Sequence, residues 1–192
     1  MKKLCDIVLA LLIIAAIITT VLIIIKYGKN QVNEADIAVT LDEMKTKFEK
    51  AETEDIEIEE YYKGYKVEGI IEIPSINIRY PVLNKTNDAS MKISITKFWG
   101  PGVNEVGNYT MAGHNNKDGT MFGKTKRLQI GDTIEMTDLK NNTVTYEIFK
   151  IYSIDPDDVS IVESVQDNCR EITLITCTNG HKNRLIIKAR EK

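Results

Sequence analysis

Residues Ile7 to Ile25 form an uncharged apolar run of 19 residues. As a helix it is about 28 Å long, enough to cross a bilayer core. This run constrains the chain more than any other feature. It cannot be hidden within a domain of this size, so any soluble fold must be built from the roughly 165 residues that follow. The only polar members are Thr19 and Thr20, whose hydroxyls can bond back to the helix backbone. A cleaved leader has a shorter apolar core and a small-x-small site. Here the run is long and ends in Ile-Ile-Ile-Lys, which reads as an uncleaved signal anchor over residues 1–29. Lys2 and Lys3 favour an N-terminus inside the cell, although Lys26 and Lys29 flank the other end. The expectation is a single-pass protein of the cell membrane with its main domain extracellular.

Residues 30–63 read as a stalk. Ile37, Leu41, Met44 and Phe48 fall on one helical stripe. It suits packing on the following domain or a short amphipathic spacer. The stretch EKAETEDIEIEE then places seven acids in twelve residues, the composition of a solvated linker. From Gly64 the pattern changes to short β-rich runs: KVEGIIEIP, INIRYPVL, GNYTMAGH, GDTIEMTD, NTVTYEIFKIYSI, EITLITC and RLIIKAR. LKNN, between the fourth and fifth, reads as a hairpin turn. Helix is expected only over Asp88–Lys97 and as a turn near Met121–Leu128. Seven or eight short strands at this spacing predict a closed or nearly closed β-barrel over residues 64–192.

A net charge of −3 offers no basic field, so nucleic acid is not an expected partner. Three cysteines, Cys5, Cys169 and Cys177, make neither a disulfide framework nor a zinc-binding or redox C-x-x-C pair. Asp118 and Glu105 are candidate metal ligands, but two histidines without ligand spacing predict no metal, and no cofactor is expected.

The chemistry-bearing groups cluster at strand ends. His114 ends GNYTMAGH and opens HNNKDG; Cys177 closes EITLITC; Arg184 opens the last strand. At one rim of a barrel they would make an acyl-transfer site. A thiolate attacks a carbonyl, an imidazole moves the proton, and a guanidinium holds the oxyanion or the substrate backbone. Spacing alone does not show that they meet, and a strand-end cysteine is more often an apolar filler. Cys169 fits a free structural thiol. His181 competes as base, and Asn179, in the same loop, is a hydrogen-bond donor or an ordinary turn residue. Thr176 either touches substrate or bonds backbone. Arg190 shares a strand face with Arg184 by even spacing, so alternation does not choose between them.

Three ordered motifs resemble those of the sortases of Gram-positive bacteria. They are TLITC, an arginine on the following strand in RLIIKAR, and the upstream histidine in GNYTMAGHNNKDGTMFG. IEIPSINIRYPVL resembles the family's opening strands and KFWGPG the segment leading to the histidine strand. The resemblance covers roughly Val67–Lys188. It implies an eight-stranded sortase barrel with a few short helices and a cysteine transpeptidase, with Cys177 as nucleophile, His114 as acid/base and Arg184 as substrate and oxyanion group. It implies as partners secreted proteins carrying a C-terminal LPxTG-like sorting signal, and a peptidoglycan precursor or other amine as acceptor. Thr176, Asn179 and His181 are expected near substrate. Only six residues separate Cys177 from Arg184, fewer than in many members. The sequence shows neither an Asp-Pro-aromatic lid nor a C-terminal apolar segment, which makes a pilin-polymerising role the less favoured one. HNNKDGTMFG resembles class B and the compact size class D. The rival readings are a tethered binding barrel without chemistry and an L,D-transpeptidase; the latter needs an S-x-G-C-type motif where this chain has LIT before Cys177.

Overall fold

The structure is a computed structural model. It describes residues 2–158, 160–162, 168–178, 180 and 182–192, with the side chains of the first helix described over 6–25 and from 35 onward. That helix, α1, runs without a break over Lys2–Glu54, so the apolar run and the amphipathic stripe belong to one helix. Its segment Asp6–Ile25 has a mean hydropathy of 3.3 and is long and apolar enough to cross a membrane. Thr19 and Thr20 donate their hydroxyls to carbonyls one turn back, which removes the cost of placing them in hydrocarbon.

The chain divides into two units, Met1–Thr40 and Leu41–Lys192. In the second unit the end of α1 carries the fully buried Leu41, Met44 and Phe48. Burial of such side chains stabilises by about 1.5–3 kcal/mol each. Ion pairs orient this segment: Lys45 Nζ lies 2.6 Å from Glu72 Oε1, Arg79 Nη1 lies 2.8 Å from Asp42 Oδ1, and Lys47 Nζ lies 2.8 Å from Glu60 Oε2. Part of the acidic run is therefore paired with bases: Glu60 with Lys47, and Glu59 with Lys66 at 2.6 Å.

The strands are β1 (Tyr61–Tyr62), β2 (Tyr65–Ile73), β3 (Ile78–Leu83), β4 (Ile95–Trp99), β5 (Gly107–Ala112), β6 (Thr133–Asp138), β7 (Thr143–Ile154), β8 (Arg170–Thr178) and β9 (Asn183–Glu191). β1 is a two-residue arm that pairs antiparallel with the start of β2 across a turn at Lys63 and Gly64. The others follow the order β2-β3-β4-β5-β8-β9-β7-β6, and β6 pairs back onto β2, closing an eight-stranded barrel. Two pairs are parallel, β3 with β4 and β5 with β8; the remaining pairs are antiparallel. The turn between β6 and β7 is the expected asparagine turn. Asn141 takes φ 64°, a left-handed conformation that asparagine tolerates, and Asp138 Oδ1 accepts from the amides of Lys140 and Asn142.

One expected element is different. The helix expected over Asp88–Lys97 is only α2, Asp88–Met91, and Ile95–Trp99 is strand β4. Asn87 caps α2, its Oδ1 accepting from the amides of Ala89 and Ser90. Beyond Met91 the β-branched Ile93, Ile95 and Thr96 favour extended backbone. The buried Ser94 donates its hydroxyl to Pro81 O, and Val82 and Leu83 pair with Ile95 and Thr96. Local helix signals lose here to pairing with residues thirteen positions back in sequence.

Candidate active site

β8 is buried on both faces, as a strand with a parallel neighbour often is. One face presents Ile172, Leu174 and Thr176, the other Glu171, Thr173, Ile175 and Cys177. A short turn of helix, Ser160–Val162, covers the second face: Ile161 packs in one cluster with Ile175 and Ile186. Asn108 locks this cover in place. Its amide donates to Ile161 O at 2.9 Å and Val162 O at 3.2 Å, and its Oδ1 accepts from Thr173 Oγ1 at 2.8 Å. Among the described residues, a cavity of about 300 Å³ opens beside Ile161 at the end of the strand.

Cys177, Arg184 and His114 all line this cavity, and each is half-buried. Cys177 and Arg184 are direct partners in the antiparallel β8–β9 register. Opposed residues project to the same face with Cβ atoms roughly 4.5–5.5 Å apart. His114 arrives from β5, whose parallel register with β8 runs through Ala112 and Ile175. Beyond the strand the two chains stay joined. The Gly113 amide donates to Ile175 O at 3.1 Å, and Thr176 Oγ1 donates to Gly113 O at 2.7 Å. The His114 carbonyl accepts from the Phe122 amide at 2.9 Å, and the Phe122 ring is wholly buried. A Cβ on Gly113 would lie 2.7 Å from that ring, so only glycine lets the loop pack this tightly.

The rest of the wall is mainly apolar and includes Phe98, Met91 and Ile161. Asp158 also lines the wall; hydrogen bonds from the Ser160 hydroxyl and amide hold its carboxyl below the usual carboxylate range.

The remaining candidates fall as follows. Thr176 borders the cavity, but its hydroxyl is spent on the Gly113 carbonyl. Asn179 and His181 lie outside the described residues. Arg190 pairs with Glu171 in the register, six residues along β9 from Arg184 and about 20 Å away. Its guanidinium bonds the buried Glu171 carboxylate at 3.0 and 3.3 Å and stacks 4.6 Å from the Phe149 ring centroid. Cys169 lies just before β8, with its sulfur 3.6 Å from Glu171 Oε1, and Cys177 lies near the strand's other end. Seven residues lie between them, a span of about 26 Å in extended chain, which excludes a disulfide between them. The Cys169 thiol is pushed up by burial and by the neighbouring Glu171, which lowers its thiolate fraction. Asp118 accepts from the amide and hydroxyl of Thr120, and Glu105 from the Gly102 amide; both are turn-forming carboxylates.

Sequence reasoning passed over Asn115, whose Nδ2 donates to Cys177 O at 2.7 Å. Its one signal was adjacency to His114. It also passed over the apolar wall, whose residues come from α2, from β4 and from the turn of helix between β7 and β8.

Residues 71–192, more than half of the chain, match the Sortase domain family. The chain belongs to the sortase family. This sortase is 35% identical over 117 residues to Sortase A of Listeria monocytogenes serovar 1/2a, covering 60% of this chain and 51% of that protein. It is 32% identical over 112 residues to Sortase D of Bacillus subtilis, covering 57% and 53%. The chain thus spans about half the length of these curated relatives. Among solved structures it resembles a Clostridium perfringens Sortase D5 transpeptidase at a TM-score of 0.66 and 29% identity. That match covers 81% of this chain and 98% of the other.

Proposed function

We propose that this sortase is a membrane-anchored cysteine transpeptidase that joins secreted proteins to an amine at the cell wall. The observation that carries the reading is the register pairing of Cys177 with Arg184 at the mouth of a cavity that His114 also lines. The Cys177 thiolate attacks the threonine carbonyl of an LPxTG-like sorting signal. Arg184 donates to the developing oxyanion, a contribution typically worth about 10²–10³ in rate. His114 protonates the leaving amine of glycine, and a thioester remains on Cys177. An incoming amine, from a peptidoglycan precursor in the housekeeping version, gives its proton to His114 and attacks the thioester. A new amide forms, and Cys177 leaves as the thiolate with His114 again protonated. The similarity to a protein described as a transpeptidase supports the same chemistry.

The domain plan follows. Residues 1–29 form the anchor, 30–63 the stalk and 64–192 the catalytic barrel, held outside the cytoplasm where both substrates are found. The full chain in detergent micelles, given an internally quenched Leu-Pro-Ala-Thr-Gly peptide and triglycine, will cleave the peptide and form the ligated product. Hydroxylamine will capture the acyl group. Retention of cleavage by Cys177→Ala would overturn the proposal.

A further inference from the structure

The contacts that join the histidine segment to β8 follow one another in step. They run from Gly113 N to Ile175 O, then from Thr176 Oγ1 to Gly113 O. In a continuing parallel ladder the next donor would be the backbone amide of residue 115 and the next acceptor Cys177 O. The backbone has by then turned away, because Asn115 pairs with Met121 in an isolated bridge. The Asn115 side chain takes over: its Nδ2 reaches Cys177 O at 2.7 Å. A carbonyl only accepts, so the contact itself decides which end of the amide faces it.

We infer that Asn115 is a positioning residue, which extends the β5–β8 ladder by one rung onto the nucleophile's own carbonyl and so sets the spacing of His114 and Cys177. The residue next to the imidazole is tied to the residue that carries the sulfur. The loop bearing His114 is anchored on its other side by Phe122 N donating to His114 O and by Met121 N donating to Tyr80 Oη at 3.0 Å. Asn115 is therefore the one contact of this loop that ends on Cys177 among the hydrogen bonds described. Thr176 is buried and holds the strands together wherever the loop goes, whereas Asn115 is exposed and contributes little to the fold. The inference gives the transpeptidase reading a further residue and takes its meaning from it, but one arm of its test does not need turnover.

The test uses the full chain in detergent micelles as wild type, Asn115→Leu, Asn115→Gln and Asn115→Ser. Two quantities are read: kcat and KM on the quenched Leu-Pro-Ala-Thr-Gly peptide, and the pH profile of Cys177 alkylation by iodoacetamide, followed by mass spectrometry of the Cys177 peptide. Asn115→Leu is expected to lower kcat about tenfold with KM within about twofold, and to displace the alkylation profile while the melting temperature stays put. Asn115→Gln, which keeps an amide donor, recovers part of both. Superimposable profiles and equal kcat in wild type and Asn115→Leu would overturn the inference, as would a Gln variant no better than Leu. Should Leu fail to fold, the Ser variant decides the same comparison. A wild type that cleaves none of the peptide sinks the transpeptidase reading. The alkylation profile then decides Asn115 alone: displaced supports it, unchanged overturns it.

Discussion

Cys177 and Arg184 stand directly opposite each other across the β8–β9 pair, and both face the cavity that His114 lines. Six residues separate them in sequence, of which Thr178 and Asn183 are themselves paired, so the pairing is a property of the sheet register rather than of the loop. The second arginine of the strand, Arg190, has the same facing by alternation and the opposite end by position.

The two arginines predict opposite phenotypes. Arg184→Ala is expected to lower kcat/KM for the sorting peptide by about 10²-fold or more with little change in melting temperature. Arg190→Ala leaves the fully buried Glu171 carboxylate without its guanidinium. It is expected to destabilise by about 3 kcal/mol, read by denaturant melts, with kcat nearly unchanged in the folded fraction. Reversed phenotypes would mean the catalytic assignment is wrong.

His114 is expected to shape the pH dependence. The wild-type rate should rise and fall with pH, since one group must act as nucleophile and the other as acid. His114→Ala should lower the rate by about 10²-fold and remove one limb of the profile. An unaltered bell in the variant would contradict the role given to the imidazole.

Gly113→Ala is a test of packing beneath the site. The new methyl would meet the Phe122 ring at 2.7 Å, and the ring is wholly buried with nowhere to retreat. We expect a loss of about 1–3 kcal/mol, with activity falling as the His114 loop shifts. A variant as stable and active as the parent would show that the loop is loosely held.

Alkaline conditions should destabilise the barrel. Burial, reinforced by Glu68, holds the Tyr109 phenol well above its ordinary 10.0; burial raises Tyr146 too. The unfolded chain can release these protons near pH 10 while the folded chain cannot, so stability is fully present below about pH 10 and declines above it. Thermal melts between pH 8 and 11 should show that decline, smaller in Tyr109→Phe relative to that variant's own value at pH 8. A flat profile would count against burial as the cause.

Much of this was readable without coordinates. The apolar run, the amphipathic stripe and the strand-rich stretch after Gly64 are local signals, carried by neighbours in sequence and by periodicity. Cys177, His114 and Arg184 were named by motif resemblance, and the strand ends where they sit were visible from composition. Helix over Asp88–Lys97 failed because β3, not local propensity, decides the conformation of Ile95–Trp99.

What the sequence determined by itself was therefore the inventory: an apolar helix, a set of short strands, and three reactive side chains at strand ends. Only the tertiary structure decided which of these meet. The parallel pairing of β5 with β8 brings Gly113 and Asn115 against Thr176 and Cys177, across more than sixty positions of chain. It turns the Thr176 hydroxyl to a backbone carbonyl and ties Asn115 to the Cys177 carbonyl, while the antiparallel β8–β9 register sends Arg190 to a buried carboxylate at the far end of the strand. The reason is physical. Hydrophobic periodicity reports which face of an element is buried, whereas the partner and the register come from closing distant segments into one hydrogen-bonded barrel.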